Sequence, residues 1–180
     1  MRSANNIKAG KAVGIRILAA LPAVFFMVMI FRFSMDTGTE SSGLSTRVCL
    51  WLVERWNRIL GGAMSAEAIQ AAAGSIEFLI RKCAHVTEYA ILTFSFIPFW
   101  RVSVGVGEGK TQWLMGVCAF IYACTDELHQ RVVSGRSGRF IDVLIDAIGM
   151  VIAMGIYLLI RTLVGRHRRR TGRNSESGEE

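Results

Sequence analysis

The chain has 180 residues, 52% of them hydrophobic, with a mean hydropathy of +0.38 and a formal charge of +7. Those values fit one domain, either membrane-embedded or unusually apolar for a soluble fold, and the apolar residues fall in blocks near bilayer length, which selects the first. A basic chain can serve nucleic acid, but here the arginines flank apolar runs, a placement that anionic headgroups and topology signals explain better.

Residues 1–11 are polar and basic, with Arg2, Lys8 and Lys11. Residues 12–31 form an apolar run broken only by Arg16, which lies near one end and can snorkel to the interface. About 20 such residues cross ~30 Å of hydrocarbon. No small-x-small cleavage site follows, so the run reads as a retained helix and not as a signal peptide. Residues 32–45 are rich in Ser, Thr and Gly and predict a polar loop. Residues 47–60 set Trp51 and Trp56 among charges. That pattern fits a helix on the membrane surface or an amphipathic helix packed on the bundle. Gly61-Gly62 breaks it, and Ser65 with Glu67 marks the next helix start.

Residues 76–100 predict one long helix, charged in its first part (Arg81, Lys82, His85, Glu88) and apolar after Tyr89, with Pro98 near its end. Residues 101–112 predict a Gly-containing loop, 113–128 an apolar segment reaching Asp126, 131–139 a short loop, and 140–160 a last span whose only charges are Asp142 and Asp146. The remainder is basic through Arg173, then acidic, and predicts a disordered tail in which His167 is solvated. The four cysteines, Cys49, Cys83, Cys118 and Cys124, lack metal or disulfide spacing and read as small apolar fillers.

The expected fold is therefore all-α: an integral membrane bundle of four transmembrane helices with an additional interfacial helix in the first outer loop. The spans are expected at residues 13–33, 83–100, 113–130 and 140–160. Residues 1–12 would be a basic cytoplasmic N-terminus, 13–161 the membrane domain and 162–180 a cytoplasmic tail. Basic residues at both ends place both termini in the cytoplasm. Helix direction then brings three polar clusters to the outer end: Arg81 to Glu88, Asp126 to Gln130, and Asp142 with Asp146. Arg131, Arg136 and Arg139 in the outer loop run against a simple positive-inside count, which an inverted topology or an anion-binding role would explain.

A helix turns about 100° per residue. Arg81, His85 and Glu88 thus share a face, with Lys82 and Tyr89 beside it; Tyr122, Asp126 and His129 share another. Asp142, Asp146 and Gly149 line a third, where Gly149 permits close helix approach. Lipid cannot solvate such groups, so the faces should look inward.

The segments RKCAHVTEYAIL and YACTDELHQRVVSGRSGRFIDVLIDAIG closely resemble the VanZ-like membrane proteins of bacteria, and FSMDTGTESSGLS resembles that family's short serine-containing motif after its first span. The likeness runs from about Ile30 to Gly149; Ser134 stands where the family often has proline. Some members are linked to resistance to glycopeptides such as teicoplanin, which implies a role near the cell wall or its lipid-linked precursors.

Three chemistries suit these residues. In the first, the site binds or acts on an anionic lipid-linked intermediate. Lys82, Gln130, Arg136, Arg139, Asp142 and Glu127 would contact substrate, with Lys and Arg on phosphate. His85 or His129 would be the acid or base, oriented by Glu88, Asp126 or Asp146. In the second, His85, Glu88, Asp126 and His129 would hold a divalent metal, as facing helices of bundles do. In the third, an accessory protein binds lipid without chemistry. A buried network serving only registry, with pairs Lys82–Glu88, Arg136–Asp142 and His129–Asp146, is the bland alternative.

Overall fold

The computed structural model describes residues 2–35, 38–133 and 138–176. Five α-helices make up nearly all of it: α1 (Arg2–Met35), α2 (Gly38–Ile59), α3 (Ala66–Pro98), α4 (Glu108–Gln130) and α5 (Phe140–Glu176), with a π-helical stretch at Phe99–Val104. Helix α3 is the hub and packs on α5, α2, α1 and α4. The buried core follows it, with Tyr89, Leu92 and Phe96 of α3 against Met115, Ala119 and Ala123 of α4 and Val143 and Met150 of α5.

Local chemistry explains most boundaries. Ser65 caps α3 by accepting from the Ala68 N–H at 3.2 Å, and Glu67 complements the positive helix end. Gly61 and Gly62 reverse the chain at φ of 101° and 73°. Asn57 stitches that turn, its carbonyl accepting from Gly62 N at 2.8 Å and its Oδ1 from Met64 N at 3.2 Å.

Several expected boundaries move. Residues 38–45, expected as loop, are helical, because Ser45 and Thr46 donate their hydroxyls to the Ser42 carbonyl at 3.0 and 2.8 Å instead of competing with the helix from outside. Helix α2 lies on α3 through one face and leaves Trp51 and Trp56 exposed on the other. The chain does not stop at Pro98 but widens into the π-helical stretch, closed by Gly105 at φ 81°. The loop expected at 101–112 shrinks to 105–107, and α4 starts at Glu108. Beyond residue 160, where irregular structure was expected, α5 continues to Glu176. All four cysteines are free.

Among the described residues, two segments are long and apolar enough to cross a membrane, Gly10–Met35 and Phe140–His167. Both turn large side chains outward, including Leu18, Phe25 and Val28 on α1 and Leu144, Ile148 and Val151 on α5. At the far end of the bundle Glu108 ties the fold together, with Arg101 at 3.4 Å and Arg161 at 3.5 Å.

Candidate functional site

The close packing of α3 on α5 aligns the polar groups. Gly149 has no side chain where α5 crosses α3, and a Cβ there would run into the carbonyl oxygen of Val86 and lie 3.0 Å from Ala90 N. That approach puts the first two turns of α5 beside the charged turns of α3. Lys82 Nζ then meets Asp142 Oδ1 at 2.5 Å. One turn further on, His85 Nδ1 faces two carboxylates, Glu88 Oε2 at 3.8 Å on its own helix and Asp146 Oδ1 at 4.0 Å on α5. The Asp146 side chain is only 4% exposed, so it serves as a backing to His85 and not as a solvent-facing group.

Helix α4 contributes its last turn. Asp126 is buried and its Oδ2 accepts from Gln130 Nε2 at 2.9 Å, the i to i+4 spacing of one helix face. Glu127 points elsewhere: its Oε2 accepts the Arg139 backbone N–H at 2.9 Å and so fastens the start of α5 to the end of α4. Gly138 makes this possible, since a Cβ there would collide with the Glu127 carbonyl oxygen.

A cavity of about 280 Å³ opens beside these groups, between α1, α2, α3 and α4. Its lining divides in two. Ile30, Phe33, Leu44, Val48, Ile80 and Ala84 make an apolar side, and Ser34, Ser45, Arg81, His85, Glu88, Asp126 and Gln130 a polar one. Ser45 also donates to Glu77 Oε1 at 2.8 Å, and Glu77 sits 4.0 Å from Arg81, so α2 and α3 are cross-linked at the rim.

The sequence-predicted residues separate accordingly. His85, Glu88, Asp126 and Gln130 reach the cavity; Asp146 stands behind His85. Lys82 and Asp142 pair with each other and lie outside the lining, in place of the expected Lys82–Glu88 pair. His129 is turned to α1, its ring 4.7 Å from that of Phe31, so the expected His129–Asp146 pair does not form. Helical spacing placed His129 with Asp126, but Tyr122 and His129 both face α1, the former donating its hydroxyl to Met27 O at 2.5 Å. Arg139 engages through its backbone, and Arg136, with the expected Arg136–Asp142 pair, lies outside the described residues.

The metal set His85, Glu88, Asp126 and His129 is not assembled: among the described residues no three His, Cys, Asp or Glu side chains are grouped to hold an ion. The sequence pointed only indirectly to Ser34, Ser45 and Arg81. The two serines fall within the FSMDTGTESSGLS segment that resembles the family's serine-containing motif, and Arg81 shares the His85 face, but none of the three was assigned a role in the site.

No curated protein and no solved structure matches the chain. The VanZ/LLP1 family model matches residues 19–161, a stretch that holds the whole cavity and every charged group around it. On that match the chain belongs to the VanZ/LLP1 family.

Proposed function

We propose that this protein is a four-span protein of the bacterial inner membrane that binds an anionic, lipid-linked cell-envelope intermediate at the outer end of its bundle. Family membership and the two apolar helices make it a VanZ-like membrane protein. Spans by α3 and α4 are supported by their exposed Ile91, Trp113, Val117, Phe120 and Ile121. Together with the outward faces of α1 and α5 these form an apolar belt larger than soluble monomers tolerate. With the basic ends of the chain in the cytoplasm, the cavity would open toward the outer leaflet.

The observation that carries this reading is the two-sided lining. An acyl or prenyl chain would lie along Ile30, Phe33, Val48 and Ile80, and the phosphate would meet Arg81. The guanidinium has five N–H donors, and its contact with Glu77 at 4.0 Å is loose enough to leave some of them for a ligand.

Acid–base chemistry on the bound headgroup is a second reading, favoured by the two carboxylates on the Nδ1 side of His85. Such partners orient an imidazole and stabilise its protonated form. Through the envelope intermediate the protein would also influence susceptibility to teicoplanin-type glycopeptides.

The direct test is binding of dodecyl phosphate to the purified protein in maltoside micelles, followed by native mass spectrometry. Arg81→Ala should weaken it by about tenfold or more, the value of one charged hydrogen bond, with expression unchanged. Equal affinity in the variant and the wild type would remove Arg81 from phosphate binding, and no binding by the wild type would remove the amphiphile.

A further inference from the structure

We infer that the cavity is loaded sideways from the bilayer, through a portal between α1 and α2. The ligand's headgroup then lies toward the buried polar end while its chain trails out among the lipids. This inference rests on the proposed amphiphile cavity and adds the route of entry and the part of the ligand that is read.

The first support is the order of polarity from the mouth inward. Phe33, Leu44 and Val48 line the cavity and yet are 47%, 55% and 49% exposed, so they form its mouth. Ser34, Asp126 and Gln130 line it too and are 2%, 5% and 7% exposed, so they form its closed end. Water outside would favour the reverse order, because large apolar side chains at an open rim forfeit burial and polar groups in the floor lose hydration. Hydrocarbon outside favours the order observed, since lipid solvates an apolar rim and leaves polar groups only the interior. The mouth also continues into a larger surface. Leu44, Val48, Trp51, Leu52 and Ile59 are all exposed, and at about 100° per residue they share one side of α2. Arg55, exposed on the same side, is long enough to reach the headgroups. Cavity wall and outward apolar face are thus one surface, joined at Leu44 and Val48.

The second support is how the helices are fastened around the cavity. The Tyr122 hydroxyl on Met27 O and the ring contact of His129 with Phe31 hold α4 to α1. Glu127 holds α4 to α5 through the Arg139 backbone N–H, and Lys82 with Asp142 holds α3 to α5. Ser45 on Glu77 holds α2 to α3. Helices α1 and α2 complete the circle. Both pack on α3, but among the described residues they do not pack extensively on each other. A chain can leave the cavity along that seam without parting any of the fastened pairs.

A consequence follows for selectivity. A cavity of about 280 Å³ lies at the lower edge of small-molecule pockets, roughly 300–1,000 Å³, and holds a headgroup with the start of one chain. Carbons beyond the seam lie in lipid, so the protein reads the headgroup and not the chain length.

The test places the photoreactive residue p-benzoylphenylalanine at Val48 of the full-length protein, in phosphatidylcholine vesicles containing dodecyl phosphate. After irradiation, the intact mass identifies the captured molecule. The same residue at Trp113, 69% exposed on α4 and outside the cavity lining, reports ordinary lipid contact. Position 48 should capture dodecyl phosphate over phosphatidylcholine at a ratio about tenfold above that at position 113, the value of one charged hydrogen bond retained by the headgroup. Hexadecyl phosphate at the same mole fraction should give the same ratio. No lipid adduct at position 48 means that the mouth faces water and overturns the portal. Equal ratios at positions 48 and 113 mean surface lipid only and overturn it as well. A strong dependence on chain length overturns the trailing chain. In each of these cases, wild-type binding of dodecyl phosphate in micelles leaves the amphiphile cavity standing, whereas failure there removes cavity and portal together. Leu44 takes the photoreactive residue where the Val48 variant does not fold.

Discussion

Gly149→Ala should be among the most damaging single-methyl additions to this protein, and the structure sets the scale. The new Cβ would overlap the carbonyl oxygen of Val86 and touch Ala90 N at 3.0 Å. Both are backbone atoms of α3 and cannot rotate away, so α5 must back off. Overpacking of this kind costs about 1–3 kcal/mol. Moving α5 also stretches the Lys82–Asp142 contact of 2.5 Å, a charged hydrogen bond worth a further ~1.5–3 kcal/mol if lost. A total of about 2.5–6 kcal/mol is expected, with weaker ligand binding as Asp146 leaves His85. Two other glycines calibrate the result. At Gly116 the Cβ would meet Met154 Sδ at 2.5 Å, but a thioether can change rotamer, so about 1 kcal/mol is expected. At Gly155 nothing lies within 4 Å, and alanine should be neutral or stabilising by up to ~1 kcal/mol. Reversible unfolding by SDS in mixed micelles, followed by tryptophan fluorescence, measures all three. If Gly149→Ala and Gly155→Ala behave alike, α3 and α5 do not meet at Gly149 and the alignment of the polar site is wrong.

Lys82→Met should destabilise by about 2–4 kcal/mol, because it strands Asp142 near other carboxylates. Asp142→Asn in that background should restore part of the loss, with a coupling of ~1.5–3 kcal/mol; no coupling in the same unfolding assay would deny the pair. His85→Gln should bind dodecyl phosphate within a few-fold of wild type if the site only binds. Should the protein prove to release phosphate from a lipid, the same variant should abolish that release, and full activity in it would end the acid–base role. In cells, overproduction should shift the minimum inhibitory concentration of teicoplanin through the Arg81-dependent site. An identical shift with Arg81→Ala would separate resistance from the cavity.

The helical class was legible because the apolar runs are long and their few charges sit at helical spacing. Arg81, His85 and Glu88 recur at the interval that makes one face, and the structure keeps that face, with Arg81, His85 and Glu88 all on the cavity. The serine-rich stretch was harder. Ser and Thr signal loop by composition, yet their hydroxyls found intrahelical acceptors at Ser42, a choice that depends on α2 resting on α3. His129 shows a different limit. Spacing fixes which residues share a face but not which neighbour that face meets, and the neighbour turned out to be Phe31 of α1.

Sequence alone determined that costly polar groups from three distant segments belong to one end of an apolar bundle, since lipid leaves them nowhere else to go. Partner choice was decided only by tertiary structure. The rotation and close approach of α5 on α3, permitted at Gly149, gave Lys82 to Asp142 and Asp146 to His85. The packing of α1 and α2 made a cavity from residues to which the sequence assigned no role in the site, Ser34 and Ser45 among them. A one-dimensional pattern carries depth and face; the interhelical distances that turn a face into a site depend on how all the helices pack at once.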